Sequence, residues 1–199
     1  MIQEPVLMQF QEGAFNCDKF IAKEILNLKK RFKLKTFIET GTCLGHTTKW
    51  AADIFENVHT VEINQEYREF ALKRLSGYKN VHSYLGNSAD VLKRILVVSE
   101  NDCLVFLDAH WSDVYCPLED ELNAIHLSRL TPVIAIHDFV VPYDTRFGFD
   151  YYKGQAFTFE WLKPYFDKIY GNDNYDYYYN TELDEQSAKR GIIYVTPKV

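Results

Sequence analysis

The 199-residue chain has no C-x-x-C pair, no internal repeat, no low-complexity tract and no apolar run long enough to span a bilayer. Each absence removes a class. Four cysteines, Cys17, Cys43, Cys103 and Cys116, with one inside a predicted buried strand, read as reduced thiols of a cytoplasmic protein and not as a disulfide frame. Without a signal peptide or a spanning segment, the expectation is a chain with no membrane partner. Excess positive charge is missing too. A net charge of −6 argues against nucleic acid or an anionic membrane surface as the main partner. The one basic stretch, Lys29-Lys30-Arg31-Phe32-Lys33-Leu34-Lys35, closes a predicted helix, where cations suit the negative end of the dipole.

What remains is ordinary for a globular protein: 47% hydrophobic and 25% charged residues, enough to bury one substantial core. The stretch TFIETGTCLGHTTKWAADIFENVHTVE, residues 36–62, organises the rest. Residues 36–40 read as a buried strand, Gly41 and Gly45 as a turn, residues 47–55 as a helix, and residues 58–63 as a second strand carrying Glu62. Strand, glycine turn, helix, strand and acid form a βαβ nucleotide site. The glycines let the backbone approach a ligand, and a carboxylate closing the second strand can accept both hydroxyls of a ribose.

Further β-then-α units follow. Strands are predicted at 81–85, 103–107 and 132–136, with helices at 65–75, 89–98 and from Pro117 to about residue 127. Before the first strand, Asn16 or Asp18 caps a helix running to about residue 32. After the fifth strand, residues 159–169 read as a helix that Pro164 should break or kink. Residues 175–180 and 191–196 then read as a closing antiparallel pair. The expected architecture is one α/β domain over 1–199: a doubly wound, mostly parallel seven-stranded sheet with a C-terminal hairpin. Residues 1–15 form an arm placed against the substrate side or a partner chain, which leaves a homodimer open. Residues 139–158 form a substrate lid.

Ligands of such sheets bind beyond the carboxyl ends of the strands. Those ends carry Glu39-Thr40-Gly41, Glu62, Asn87-Ser88, Asp108-Ala109-His110-Trp111 and His137-Asp138. The pattern E-x-G-x-x-x-G at Glu39, Gly41 and Gly45 lacks the middle glycine of a dinucleotide site, and an acid beside the turn would repel a pyrophosphate. It resembles motif I of S-adenosylmethionine-dependent methyltransferases, where Glu39 can hold the ammonium of a methionine moiety. With Val61-Glu62-Ile63-Asn64, Gly86-Asn87-Ser88-Ala89-Asp90 and Val105-Phe106-Leu107-Asp108-Ala109-His110-Trp111, the chain resembles the catechol-type, cation-dependent O-methyltransferases over residues 36–139.

The resemblance implies a seven-stranded Rossmann-like fold and S-adenosylmethionine as cofactor. Glu62 falls on the ribose, Gly41, Thr42 and Thr47 near the methionine moiety, and Asn87-Ser88 at the adenine edge. Trp111 either stacks on the adenine or belongs to the core. The family's metal carboxylates follow the fourth and fifth strands, where Asp108 and His137-Asp138 stand. Asp108, Asp138 and His137 can then hold a divalent cation. Oxygen donors suit Mg²⁺, and His137 tilts the preference toward Mn²⁺, Fe²⁺ or Zn²⁺. The alternative is that Asp108 contacts the cofactor and His137-Asp138 work without metal. Ser112 stands where the family has a general-base lysine, so His137 and His110 become the candidate bases, with Asp138 third.

Sixteen aromatic residues lie between 139 and 180, about half of the chain's total. Tyrosines offer flat faces and hydroxyls to a small acceptor such as a sugar or phenol, and Arg146 can pair with an acidic acceptor group. The leading reading is O-methylation of a small hydroxylated molecule. The competitors are an NAD-dependent oxidoreductase, which Glu62 also fits, and a non-catalytic nucleotide-binding protein.

Overall fold

The structure, a computed structural model, describes residues 13–110 and 115–198. Trp111 and Ser112 therefore lie outside the described residues, as does most of the predicted arm. Helix α1 (Lys19–Phe32) starts at Asp18, whose Oδ1 accepts from Phe20 N at 2.9 Å and Ile21 N at 3.1 Å. The chain then alternates: β1 (Thr36–Thr40), α2 (His46–Ala52), β2 (Asn57–Glu62), α3 (Gln65–Arg74), β3 (Val81–Leu85), α4 (Ser88–Val97), β4 (Cys103–Leu107), α5 (Leu118–Ser128) and β5 (Val133–His137). A two-stranded ribbon, β6 (Tyr151–Tyr152) and β7 (Gln155–Ala156), precedes α6 (Phe159–Tyr170), β8 (Tyr175–Tyr179) and β9 (Ile192–Pro197). The main sheet has the order β3-β2-β1-β4-β5-β9-β8, with β9 antiparallel to both β5 and β8. The expected doubly wound sheet and closing hairpin are present. No helix among the described residues is long and apolar enough to cross a membrane.

Strand order reverses between β1 and β4, and both strands are buried along nearly their whole length. One face of the sheet packs Leu92 and Leu96 of α4, Leu118 and Leu122 of α5, and Leu162 and Phe166 of α6. The other packs Ile21, Ile25 and Leu28 of α1 with Ala51 and Phe55. Each such side chain contributes about 1.5–3 kcal/mol by leaving water. That burial decides the one helix for which local chemistry and packing disagree. Pro164 costs about 3 kcal/mol inside a helix, yet α6 runs unbroken through it. Phe159, Leu162, Phe166, Ile169 and Tyr170 are all buried on one side of α6 and hold it against the sheet. Leu26 falls off the buried stripe of α1 and is 44% exposed, and α3 ends at Arg74, one residue short of the expected end.

Two local features shape the site. The first is the turn Ala14–Cys17, in which Phe15, Asn16 and Cys17 have φ of 53°, 53° and 64°. Three successive non-glycine residues in the left-handed region cost about 1–2 kcal/mol each. The Phe15 ring offsets this: it is buried edge-on against Trp50, 4.9 Å away, and Phe106, 5.2 Å away. The second is the junction of the 139–158 segment with β9. Gly148 N donates to Lys189 O, Gly191 N to Gly148 O, Phe139 N to Gly191 O and Asp150 N to Asp138 O. The segment proposed as a lid is therefore fastened at its root.

Gly191 makes this junction possible, because a Cβ there would lie 2.0 Å from the carbonyl oxygen of Phe139. Gly191→Ala is expected to cost about 2–3 kcal/mol through the forced backbone shift, lowering the melting temperature by roughly 5–10 °C. Thermal unfolding by circular dichroism checks this; an unchanged midpoint would show that the junction is loose.

Candidate functional site

The carboxyl ends of β1, β2, β4 and β5 converge on a cavity of about 400 Å³. The convergence begins at Gly41. Its φ is +82°, and a Cβ there would meet Asp108 O at 2.3 Å, so only glycine lets β1 leave the sheet against the end of β4. Gly41 N and Thr42 N then turn back onto Val61 O, at 2.9 and 3.1 Å. This brings the loop beside Glu62, whose Oε2 accepts from Cys43 N at 2.8 Å and whose Oε1 accepts from Asn64 N at 2.9 Å. Both oxygens are oriented by the backbone, and each keeps a lone pair for a further donor.

Glu39 lies deeper. Thr48 and Thr60 hydroxyls donate to its Oε2 at 2.5 and 2.7 Å, and Thr42 pairs with Thr60 at 2.6 Å. Burial dominates its chemistry and raises its pKa to about 8, against the two hydroxyl hydrogen bonds and with help from the charges of Asp108 and Glu62. Among the described residues four acidic side chains line the cavity, those of Glu39, Glu62, Asp108 and Asp138, and no lysine or arginine does.

At the end of β5, His137 is buried and presents Nδ1 at 3.2 Å from both Asp108 Oδ1 and Asp138 Oδ2. Neither approach makes a hydrogen bond, so the buried Nδ1 has no such partner. Burial opposes charge on this ring, but the Asp138 and Asp108 carboxylates outweigh it and hold its pKa well above the ordinary value. Burial would raise Asp138, yet His137, His110 and Arg190 pull it below the usual carboxylate range. One donor atom from each of Asp108, His137 and Asp138 lies within 4.8 Å of the others, close enough to share a cation. An imidazole nitrogen facing two carboxylate oxygens fits a divalent first-row ion, which would take the place of the ring proton that those carboxylates hold. Arg190 stands behind the cluster. Its Nε donates to Asp138 Oδ1 and its Nη2 to Asp150 Oδ1, which fixes the Asp138 carboxylate from the far side. His110 Nε2 meets His137 O at 3.0 Å. That bond makes Nε2 an N–H, and Nδ1 is buried without a hydrogen-bond partner.

The cavity thus gathers most of the residues predicted from sequence. Glu39, Gly41, Thr42, Thr47, Glu62, Asn87, Ser88, Asp108, His110 and Asp138 all line it, with His137 directly behind. Gly45 does not: its missing side chain makes room for Ala71 of α3, which a Cβ would approach to 3.0 Å. Arg146 is occupied, donating to both Asp144 oxygens at 2.8 and 2.5 Å, and offers little to an acidic acceptor.

Sequence reasoning missed Arg190, Asp150, Phe15 and Glu121. For Arg190 no local signal exists, since its partners are 52 and 40 residues away. For Glu121 a signal was present: it falls on the apolar stripe Leu118-Leu122-Ile125 of α5, where an acid has no reason to be. It is fully buried and its oxygens lack hydrogen-bond partners. Burial raises its pKa to about 7, and the nearby Ser88 and Thr40 hydroxyls counter only part of the effect.

No family model and no curated protein matches the chain at a significant level. Solved structures do. The O-methyltransferase TomG from Streptomyces achromogenes, involved in tomaymycin synthesis and solved with S-adenosylmethionine, superposes with a TM-score of 0.63 at 18% identity, covering 93% of this chain and 82% of its own. An O-methyltransferase from Bacillus cereus, solved with S-adenosylhomocysteine, gives 0.62 at 18% identity over 94% and 84%. SMU.1697c from Streptococcus mutans, a methyltransferase homologue also solved with S-adenosylhomocysteine, gives 0.56 at 15% identity over 87% and 97%. At these identities the likeness establishes the fold: the Rossmann-like fold of class I methyltransferases.

Glu121 makes a prediction with a definite sign. Its pKa is raised in the folded state from 4.5 to about 7, so its contribution to stability is intact below pH 4.5 and is lost as pH rises through 7, by roughly 3 kcal/mol. Glu39, raised to about 8, acts in the same direction. Glu121→Gln should therefore be more stable than the natural chain at pH 8 and flatten the fall between pH 5 and 8, measured by urea unfolding. A variant less stable at pH 8 would mean that the carboxylate has a bound partner.

Proposed function

We propose that the chain is an S-adenosylmethionine-dependent methyltransferase acting on an oxygen of a small hydroxylated acceptor such as a sugar or phenol. One observation carries the reading: a cavity at the strand-order reversal lined, among the described residues, by four acidic side chains and by no lysine or arginine. A cationic donor, with an ammonium and a sulfonium, is attracted there, whereas the pyrophosphate of a dinucleotide is repelled. The neighbouring structures solved with this nucleoside or its product support the same choice.

In this reading Glu62 accepts from the ribose hydroxyls, and the backbone of Gly41 passes close to the sulfur. Glu39 faces the ammonium, and Ser88 with Asn87 faces the adenine edge. Asp108, His137 and Asp138 would hold a divalent cation, which polarises the acceptor hydroxyl and lowers its pKa when bound. The nitrogen donor favours Mn²⁺, Fe²⁺ or Zn²⁺ over Mg²⁺. His110 presents the lone pair of Nδ1 and is the base that takes the hydroxyl proton. Phe157, packed edge-on to His110 at 4.7 Å, helps keep water from that ring. Transfer itself is an in-line displacement, so the chain's contribution is mainly to fix distance and direction.

Thermal shift with S-adenosylmethionine, S-adenosylhomocysteine and NAD tests the cofactor: stabilisation by the first two is expected, and stabilisation by NAD alone overturns the reading. Glu62→Gln should weaken binding roughly tenfold to a hundredfold, the worth of a hydrogen bond to a charged group. Labelled methyl transfer to a panel of hydroxylated acceptors, with and without chelator, tests the reaction and the ion together. His110→Ala should lower turnover by at least roughly a hundredfold. Turnover untouched by chelator would remove the ion from the mechanism.

A further inference from the structure

We infer that Glu121 of α5 is a positioning residue: it draws the Ser88 hydroxyl proton toward itself, so that Ser88 accepts from the exocyclic amino group of the cofactor's base and selects adenine. The inference rests on the cofactor reading above.

Glu121 stands among Leu118, Leu122 and Ile125, and like them it is 0% exposed. Packing alone favours an apolar residue there, because a buried carboxylate needs compensation. The fold closes no hydrogen bond on either of its oxygens. The two groups that favour its charged form are the hydroxyls of Ser88 and Thr40. Thr40 is fully buried at the end of β1, and its Oγ1 accepts from Asp108 N at 3.3 Å, which leaves its own proton to give. Ser88 opens α4 and lines the cavity, whereas Glu121 does not. Ser88 is thus the link between the buried acid and a ligand at that end.

This link decides which way the hydroxyl points. Once the Ser88 proton is given to the carboxyl group behind it, the lone pairs of Oγ are what the cavity meets. An accepting oxygen needs a donor opposite. On the polar edge of adenine the exocyclic amino group donates, whereas the ring nitrogens accept. Hypoxanthine carries a carbonyl at the same place and would meet Ser88 acceptor to acceptor. The same turn of α5 orients the neighbouring groups. Asn87 Nδ2 donates to Tyr115 Oη at 3.2 Å, and Tyr115 Oη donates to Asp120 Oδ2 at 2.9 Å. Asn87 and Tyr115 both line the cavity, so Asp120 and Glu121 together set the polarity of this end.

Isothermal titration of the full chain with S-adenosylhomocysteine and with S-inosylhomocysteine, its deaminated analogue, measures the selection. The natural chain is expected to favour the adenosyl compound by about tenfold or more. Glu121→Leu and Glu121→Met roughly keep the side-chain volume and free Ser88 to donate, so the preference should shrink at least about fivefold. Both substitutions extend the apolar stripe of α5, and either one suffices if the other unfolds. A purely structural role would weaken both compounds alike and leave their ratio unchanged. In a Ser88→Ala background neither substitution should alter the remaining preference, because the effect passes through the hydroxyl. A preference that Glu121→Leu and Glu121→Met leave unaltered, or alter equally with and without the Ser88 hydroxyl, makes the acid a packing residue and overturns the inference. So does a natural chain that binds both compounds equally. If the natural chain binds neither, the cofactor reading falls and takes this positioning role with it.

Discussion

The close passage of Gly41 over the carbonyl of Asp108 is the contact on which the rest depends. With no Cβ and a positive φ, β1 can end directly against the end of β4 at the point where strand order reverses. The loop after Gly41 then folds back on Val61 and presents Cys43 N to Glu62. Asp108, held by the same approach, faces His137 and Asp138 from β5. A side chain at position 41 would separate these endings, and the cavity would no longer have both a nucleoside end and an acceptor end.

Charge gives this geometry its meaning. Burying Glu39 and Glu121 works against stability at neutral pH. A chain folding for stability alone would replace such groups with apolar ones. Strain tells the same story at another level, since Asp138, Cys43 and the 15–17 turn all hold positive φ beside the cavity. Buried acids and strained backbone beside the cavity mark residues set by binding and not by folding.

Much of this was legible in the sequence because it is written locally. Strands β1 and β4 are runs rich in apolar or β-branched residues between turns, and their bounds, like those of β3, are those expected. Polar residues closing successive strands must meet once the strands are parallel, so Glu39, Glu62, Asp108 and His137-Asp138 could be grouped before any coordinates. What could not be read depends on distance along the chain or on packing. Arg190 reaches Asp138 only because β9 lies antiparallel beside β5. Phe15 gains its place from Trp50 and Phe106, which come together only in the folded chain. Pro164 stays helical because the sheet outbids a local rule. Gly45 belongs to the glycine pattern of the turn, and the space its missing side chain leaves is taken by Ala71. A glycine's reason for being small is a tertiary fact.

The most direct measurement is a crystal structure of the full chain grown with S-adenosylhomocysteine. The account predicts the ribose hydroxyls on Glu62, the sulfur beside Gly41, and the methyl-donor side facing Asp108 and Asp138. Nucleoside density on another face, or a cavity at Gly41 and Glu62 that stays empty at saturating ligand, would contradict it.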